Sequence, residues 1–146
     1  MSVEPPHVSY GVPPQVEASF VLGGRDFDPN RVTEILGCEP STIWQQRHEH
    51  LRARRDLDNV QWVKTVGPHA CYSVSEVVEQ LASTIIPIAP KLPTVVAELN
   101  LKASVVATVR IREDRPLYEL SQRALALLAT LSCEFVLDIY DHTHEG

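Results

Sequence analysis

The chain of 146 residues lacks the signatures that usually betray a function. Its three cysteines, Cys38, Cys71 and Cys133, are odd in number, far apart and never arranged as Cys-x-x-Cys, which excludes a disulfide framework and a zinc ribbon. Reduced thiols in a cytosol are the expectation. Positive charge is also scarce: a formal net charge of -6 gives no broad basic field, so general affinity for nucleic acid or anionic membrane is not expected. No eighteen uncharged apolar residues run together, and MSVEPPHVSYGVPPQVE at the start has four prolines and no apolar h-region. A soluble, cytoplasmic protein is expected. The sequence has no internal repeat, no G-x-G-x-x-G, no lysine-containing phosphate loop and no G-x-S-x-G.

What is present is enough apolar material, 44% of residues, to bury one core. Residues 1–15, with prolines at 5, 6, 13 and 14, read as an extended leader, 16–141 as one domain and 142–146 as a tail. Val16, Ala18, Phe20 and Leu22 alternate with Glu17, Ser19 and Val21 in a strand pattern ending at Gly23-Gly24. In DPNRVTEILG, Asp28 can cap, Pro29 suits the first helical position and Gly37 can take the left-handed stop. VQWVKTV at 60–66 reads as a strand bounded by Gly67-Pro68. Ser73 and Glu76 have capping-box spacing ahead of a helix striped by Val77, Val78, Leu81 and Ile85, which Pro87 ends or kinks. A second helical piece follows Pro93.

The clearest strand is LKASVVATVRIR, with Leu101, Ala103, Val105, Ala107, Val109 and Ile111 on one side and Lys102, Ser104, Thr108, Arg110 and Arg112 on the other. Ser121 caps QRALALLATL, and CEFVLDIY closes the domain with Phe135, Leu137 and Ile139 facing in. Phe27 with Val32, Tyr72 with Val77 and Leu120 with Leu125 stand at hydrophobic-staple separation. One-sided alternation in the strands predicts an α+β fold: two layers, about four mainly antiparallel strands, and three or four helices on one face. The open face is then available to a protein partner or a second subunit.

The chain resembles the bacterial family catalogued as Domain of Unknown Function 4279 from about Ala18 to Tyr140. Asp28, Pro29, Val32, Leu36, Gly37 and Pro40 carry the likeness, with Trp62 in its strand and the ending ELSQRALALLATLSCEFVLDIY. Ser132 stands where the family pattern has glycine after the last helix. The resemblance implies a fold but no activity, so it transfers no catalytic residue and no cofactor.

Residues 43–58, IWQQRHEHLRARRDLD, are the longest irregular stretch and the place where that family varies. His48 and His50 would point the same way on a strand and begin a metal site. Yet His48 has no histidine four residues on, as a zincin helix requires, and four arginines oppose a divalent cation. Arg47, Arg52, Arg54 and Arg55 suit a carboxylate or phosphate partner, but Glu49, Asp56 and Asp58 beside them also allow plain local ion pairs on a solvated loop. Trp62 reads as core, whereas Trp44, followed by Gln45 and Gln46, suits a ligand-facing edge.

Elsewhere the candidates are thinner. Gly23-Gly24-Arg25-Asp26 is explained by a turn and a cap, Cys71 near His69 by chance proximity, and His142 and His144 by a frayed tail. The expected function is a non-catalytic binding or protein-interaction module, of the immunity or regulatory kind by analogy of fold alone. The alternative is a small enzyme or metal-binding protein with its site on the 44–58 loop. On the first reading Trp44, Arg47, His48, His50, Arg52, Arg54 and Arg55 are the ligand- or partner-binding candidates, no metal or cofactor is assigned, and nucleic acid and membrane are not partners.

Overall fold

The computed structural model describes residues 11–46 and 58–144. The elements run β1 (Gln15–Gly24), α1 (Pro29–Leu36), β2 (Thr42–Gln45), β3 (Val60–Ala70), α2 (Val74–Ile85), a 3-10 helix (Ile86–Lys91), α3 (Leu92–Leu99), β4 (Lys102–Ile111), α4 (Gln122–Leu131) and β5 (Glu134–Asp141). The α+β class holds, but the sheet has five strands, in the order β2-β3-β1-β4-β5. The pairings β2/β3, β3/β1 and β1/β4 are antiparallel, while β4/β5 is parallel, so the sheet is mixed. Both departures have physical causes. The ten-residue crossover helix α4 carries the chain back to the end where β4 began, which a tight hairpin cannot do. The extra strand, β2, is four residues long and exposed throughout, so it offers no alternation of buried and wet positions.

Local capping follows the sequence closely. Asp28 accepts from the Asn30 N–H at 3.0 Å, and Gly37 closes α1 at φ 67°. Ser73 and Ser121 cap α2 and α4 by accepting from the Glu76 and Ala124 N–H groups, at 3.2 and 3.0 Å. Only half of the capping box forms at α2: the Glu76 carboxylate accepts from the Cys71 thiol at 3.5 Å. The staple partners Phe27 and Val32 are both buried, whereas Leu125 is 55% exposed, so the Leu120 and Leu125 pair does not enclose its helix entry. Ser132 adopts the left-handed stop despite its side chain, at φ 51° and ψ 47°.

The core lies between the sheet and one helix layer. Val16, Ala18, Phe20 and Leu22 of β1, Trp62 of β3 and Val105, Ala107, Val109 and Ile111 of β4 are fully buried, against Val74, Val77, Val78, Leu81 and Ile85 of α2. The α2 helix packs on β1, β3 and β4, the middle of the sheet. β3 does not stop at Gly67-Pro68; it runs on to Ala70 through a bulge that sets Val66 opposite Ala18 and His69 opposite Val16. Two residues of β3 thereby face Glu17 alone. Gly67 makes this possible at φ 96°, where an added Cβ would stand 2.8 Å from the Val16 carbonyl oxygen.

Phe135, Leu137 and Ile139 do lie on the core side, in register with Val105, Ala107 and Val109. Phe135 is partly buried and packs against the core, but the other two are not enclosed. Leu137 is 38% and Ile139 44% exposed, because β5 is the outer strand and lies beyond the part of the sheet that α2 covers. Among the described residues no helix is long and apolar enough to cross a membrane.

Candidate interaction surface

No helix of the described residues lies on the other face of the sheet, and register specifies what that face displays. Opposed residues of paired strands share a face, so Thr42, Val63, Val21, Ser104 and Glu134 form one row across all five strands. The next row is Thr65, Ser19, Val106 and Val136; on the other side, Trp44, Gln61, Gly23 and Lys102 form a third. An apolar band therefore crosses the face diagonally, with Val63 beside the largely buried Val21 and, one row along, Val106 beside Val136 of the outer strand, and with Ser19 and Ser104 between them. Ser19 and Thr65 hydroxyls bond to each other at 2.8 Å within it. Charges sit at the rim: Lys102 with Glu134 at 3.2 Å, and Arg110 with Glu17 at 3.4 Å. The Arg110 guanidinium also lies over the Tyr140 ring, 5.5 Å from its centroid. The Tyr140 hydroxyl in turn donates to Asp138 at 3.0 Å, and that bond pushes its pKa up.

Of the residues singled out from sequence, Trp44 belongs to this face. It is on edge strand β2 rather than in a loop, opposite Gln61 and 40% exposed. Arg47, His48, His50, Arg52, Arg54 and Arg55 lie outside the described residues. Trp62 is core, with its indole N–H on Thr33 Oγ1. Lys102, Ser104, Thr108 and Arg110 line the open face as expected, and Arg112 follows the strand as an exposed residue. The valines at its centre were the residues sequence reasoning passed over. The signal was present: Val21 and Val106 occupy positions where the alternation calls for a polar side chain.

The remaining candidates resolve into structural roles. The turn at Gly24 to Asp26 is tied to the start of β3 by reciprocal bonds: the Asp26 N–H donates to Asn59 Oδ1 at 2.9 Å and Asn59 Nδ2 to Asp26 Oδ1 at 2.7 Å. The Arg25 Nε and Nη2 atoms in that turn are buried, with no hydrogen-bond partner among the described residues. The Cys71 thiol donates to the Ser73 carbonyl at 3.3 Å as well as to Glu76, and burial raises its pKa, so the thiol is held protonated rather than activated. Burial likewise raises Cys133. An open groove between α2 and α4 is lined by Gln80, Ser83, Thr84, Glu79 and Arg123, whose charges pair with each other at 3.6 Å. Among the described residues no three of His, Cys, Asp and Glu are grouped to hold a metal ion.

Neither a search of curated proteins nor one of solved structures finds a match. A family model described as a domain of unknown function, DUF4279, matches residues 14–142, from the first residues of β1 to just past β5. The matched span takes in every strand and helix of the sheet layer and the helix layer. The chain therefore belongs to the DUF4279 family.

Proposed function

We propose that this protein is a non-catalytic protein-interaction module of the bacterial cytoplasm that docks a protein partner on the sheet face away from its helices. One observation carries the reading: Val63 pairs with Val21 across β3 and β1 and, one row along, Val106 pairs with Val136 across β4 and β5, an apolar band on a face that no helix of the described residues covers. An antiparallel sheet that meets only water presents alternating polar residues there. An apolar centre ringed by charged and aromatic groups is instead how protein interfaces are built. Here the ring is Trp44, the Lys102 and Glu134 pair, and Arg110 between Glu17 and Tyr140. A partner that fits places apolar side chains over the valines and polar groups over the rim. An immunity or regulatory role suits such a module by analogy of fold.

The test is a photoreactive amino acid placed at Val106 and, separately, at Thr130 on the exposed side of α4, in cells that naturally make the protein. The expected result is a discrete protein adduct at 106 that is absent at 130. Equal labelling at both positions, or no protein adduct at 106, overturns the reading.

A further inference from the structure

Strand β5 ends the sheet, and its outer edge has no partner among the described residues. In a parallel ladder the residues of one strand alternate between those whose N–H and C=O both address the neighbour and those whose groups point away. The His142 N–H donates to the Ile111 carbonyl at 2.7 Å, which sets the phase, and β5 keeps register with β4 without a shift. Even-numbered residues of β5 therefore address β4. The N–H and C=O groups of Phe135, Leu137 and Ile139 point outward.

Those groups are flanked by apolar side chains on both faces. Leu137 and Ile139 on the helix side, and Val136 and Tyr140 on the open side, are each between 38% and 45% exposed. Soluble proteins blunt such edges with lysine, proline, a bulge or a covering segment. β5, EFVLDIYD, has no lysine, no proline and no bulge. Asp138 is the only charge between its two ends.

We propose that this edge binds a second copy of the same chain, β5 against β5 in antiparallel register about a two-fold axis at Leu137. The register follows from side chains. In an antiparallel pair, opposed residues share a face, so the axis must fall on a residue and not between two. Centred on Asp138, two Asp138 carboxylates stand directly opposite each other; centred on Val136, Glu134 opposes Asp138. Centred on Leu137, no two carboxylates oppose. Leu137 then meets Leu137, Phe135 meets Ile139, and Val136 meets Asp138, while every outward N–H and C=O of Phe135, Leu137 and Ile139 finds a partner. Charge supports the same arrangement: Glu134 of the second copy arrives beside Tyr140, next in the row to Arg110, whose guanidinium already lies over that ring. The two sheets become one continuous sheet with both helix layers on the same side. This inference concerns the edge and stands apart from the open-face partner proposed above.

The test uses the full chain without a fusion partner, in sedimentation equilibrium over a concentration series. The expected mass is twice the 16.3 kDa of the chain. Leu137→Pro removes an N–H that β4 does not use, so the fold persists by circular dichroism while the mass falls to that of one chain. Leu137→Lys, which keeps every backbone bond but places two ammonium groups face to face, gives the same mass and serves if the proline variant does not fold. Leu137→Cys under mild oxidation yields a 137-to-137 cross-linked peptide, found by mass spectrometry. A wild-type chain that remains a single copy at every concentration overturns the inference. So does a dimer whose mass survives both Leu137→Pro and Leu137→Lys. Neither result bears on photo-adducts at Val106, so the two proposals fail separately.

Discussion

The Trp62 indole N–H donates to Thr33 Oγ1 at 3.1 Å, joining the innermost residue of β3 to the middle of α1. The tryptophan is fully buried, so its one donor has no access to water. Thr33→Val keeps the shape and deletes the acceptor, leaving a buried N–H unsatisfied. The expected loss of unfolding free energy is about 1–3 kcal/mol, read as a lower denaturant midpoint at constant slope, while Thr33→Ser restores most of it.

Two glycines with positive φ separate conformational cost from steric cost. Gly37 at φ 67° ends α1 with nothing nearer to an added Cβ than Lys91 Nζ at 3.8 Å. Gly67 at φ 96° has the Val16 carbonyl oxygen 2.8 Å from that position. Gly37→Ala therefore loses about 1 kcal/mol, the price of a left-handed alanine. Gly67→Ala forces β1 and β3 apart at the bulge and loses more, about 2–4 kcal/mol. Urea unfolding of the two variants side by side checks the order.

How much of this was legible in sequence depended on whether a residue's role is local. Asp28, Ser73 and Ser121 were readable as caps because the cap and the N–H it accepts lie within three residues. Val105 to Ile111 were readable as core because period-two alternation against a single helix layer is a local pattern. Apart from the half-formed capping box at Ser73 and Glu76, the open Leu120 and Leu125 staple and the run of β3 past Gly67-Pro68, the failures are non-local. β2 gave no signal because Thr42 to Gln45 bury nothing and are recruited by the edge of β3. Leu137 and Ile139 share the alternation of true core residues, and only the strand order tells that they sit at the margin. The apolar centre of the open face requires four strands to be laid side by side, although Val21 and Val106 were each locally out of phase. Among the candidate residues Trp44 alone falls on that face, since the histidines and arginines that followed it lie outside the described residues.

Ser132 offers a stabilising change. It closes α4 in the left-handed region at φ 51°, where a serine side chain costs energy and glycine does not. The Ser132 N–H donates to the Ala129 carbonyl at 3.1 Å, a bond that glycine retains. Ser132→Gly gains about 0.5–1 kcal/mol in the folded state, partly offset by the greater freedom of glycine in the unfolded chain. Calorimetry is expected to show an upward shift of a few degrees in Tm. An unchanged or lower Tm would show that the turn into β5 does not strain Ser132.

At the end of β5, hydrogen bonds from Thr143 and then the Arg115 guanidinium hold the Asp141 carboxyl down at about 2. The Thr143 N–H reaches Oδ1 at 2.9 Å and Arg115 Nη2 reaches Oδ2 at 2.7 Å. The folded pKa is below the ordinary value of 3.8, so the ionised carboxylate favours folding. That contribution is complete above the unfolded value, declines as pH falls from there, and is gone once pH has passed below about 2. Because the group is exposed, screening keeps the effect small and salt-sensitive. Wild type and Asp141→Asn should thus differ in Tm at neutral pH and converge as the solution is acidified through that window. NMR titration of the Asp141 carboxyl gives the direct reading: a midpoint near 2 in the wild type that climbs when Thr143→Ala removes the Thr143 hydroxyl, leaving its N–H in place, or when Arg115→Gln removes the guanidinium, and a midpoint that moves in neither variant would mean that neither the hydroxyl nor Arg115 holds the carboxylate.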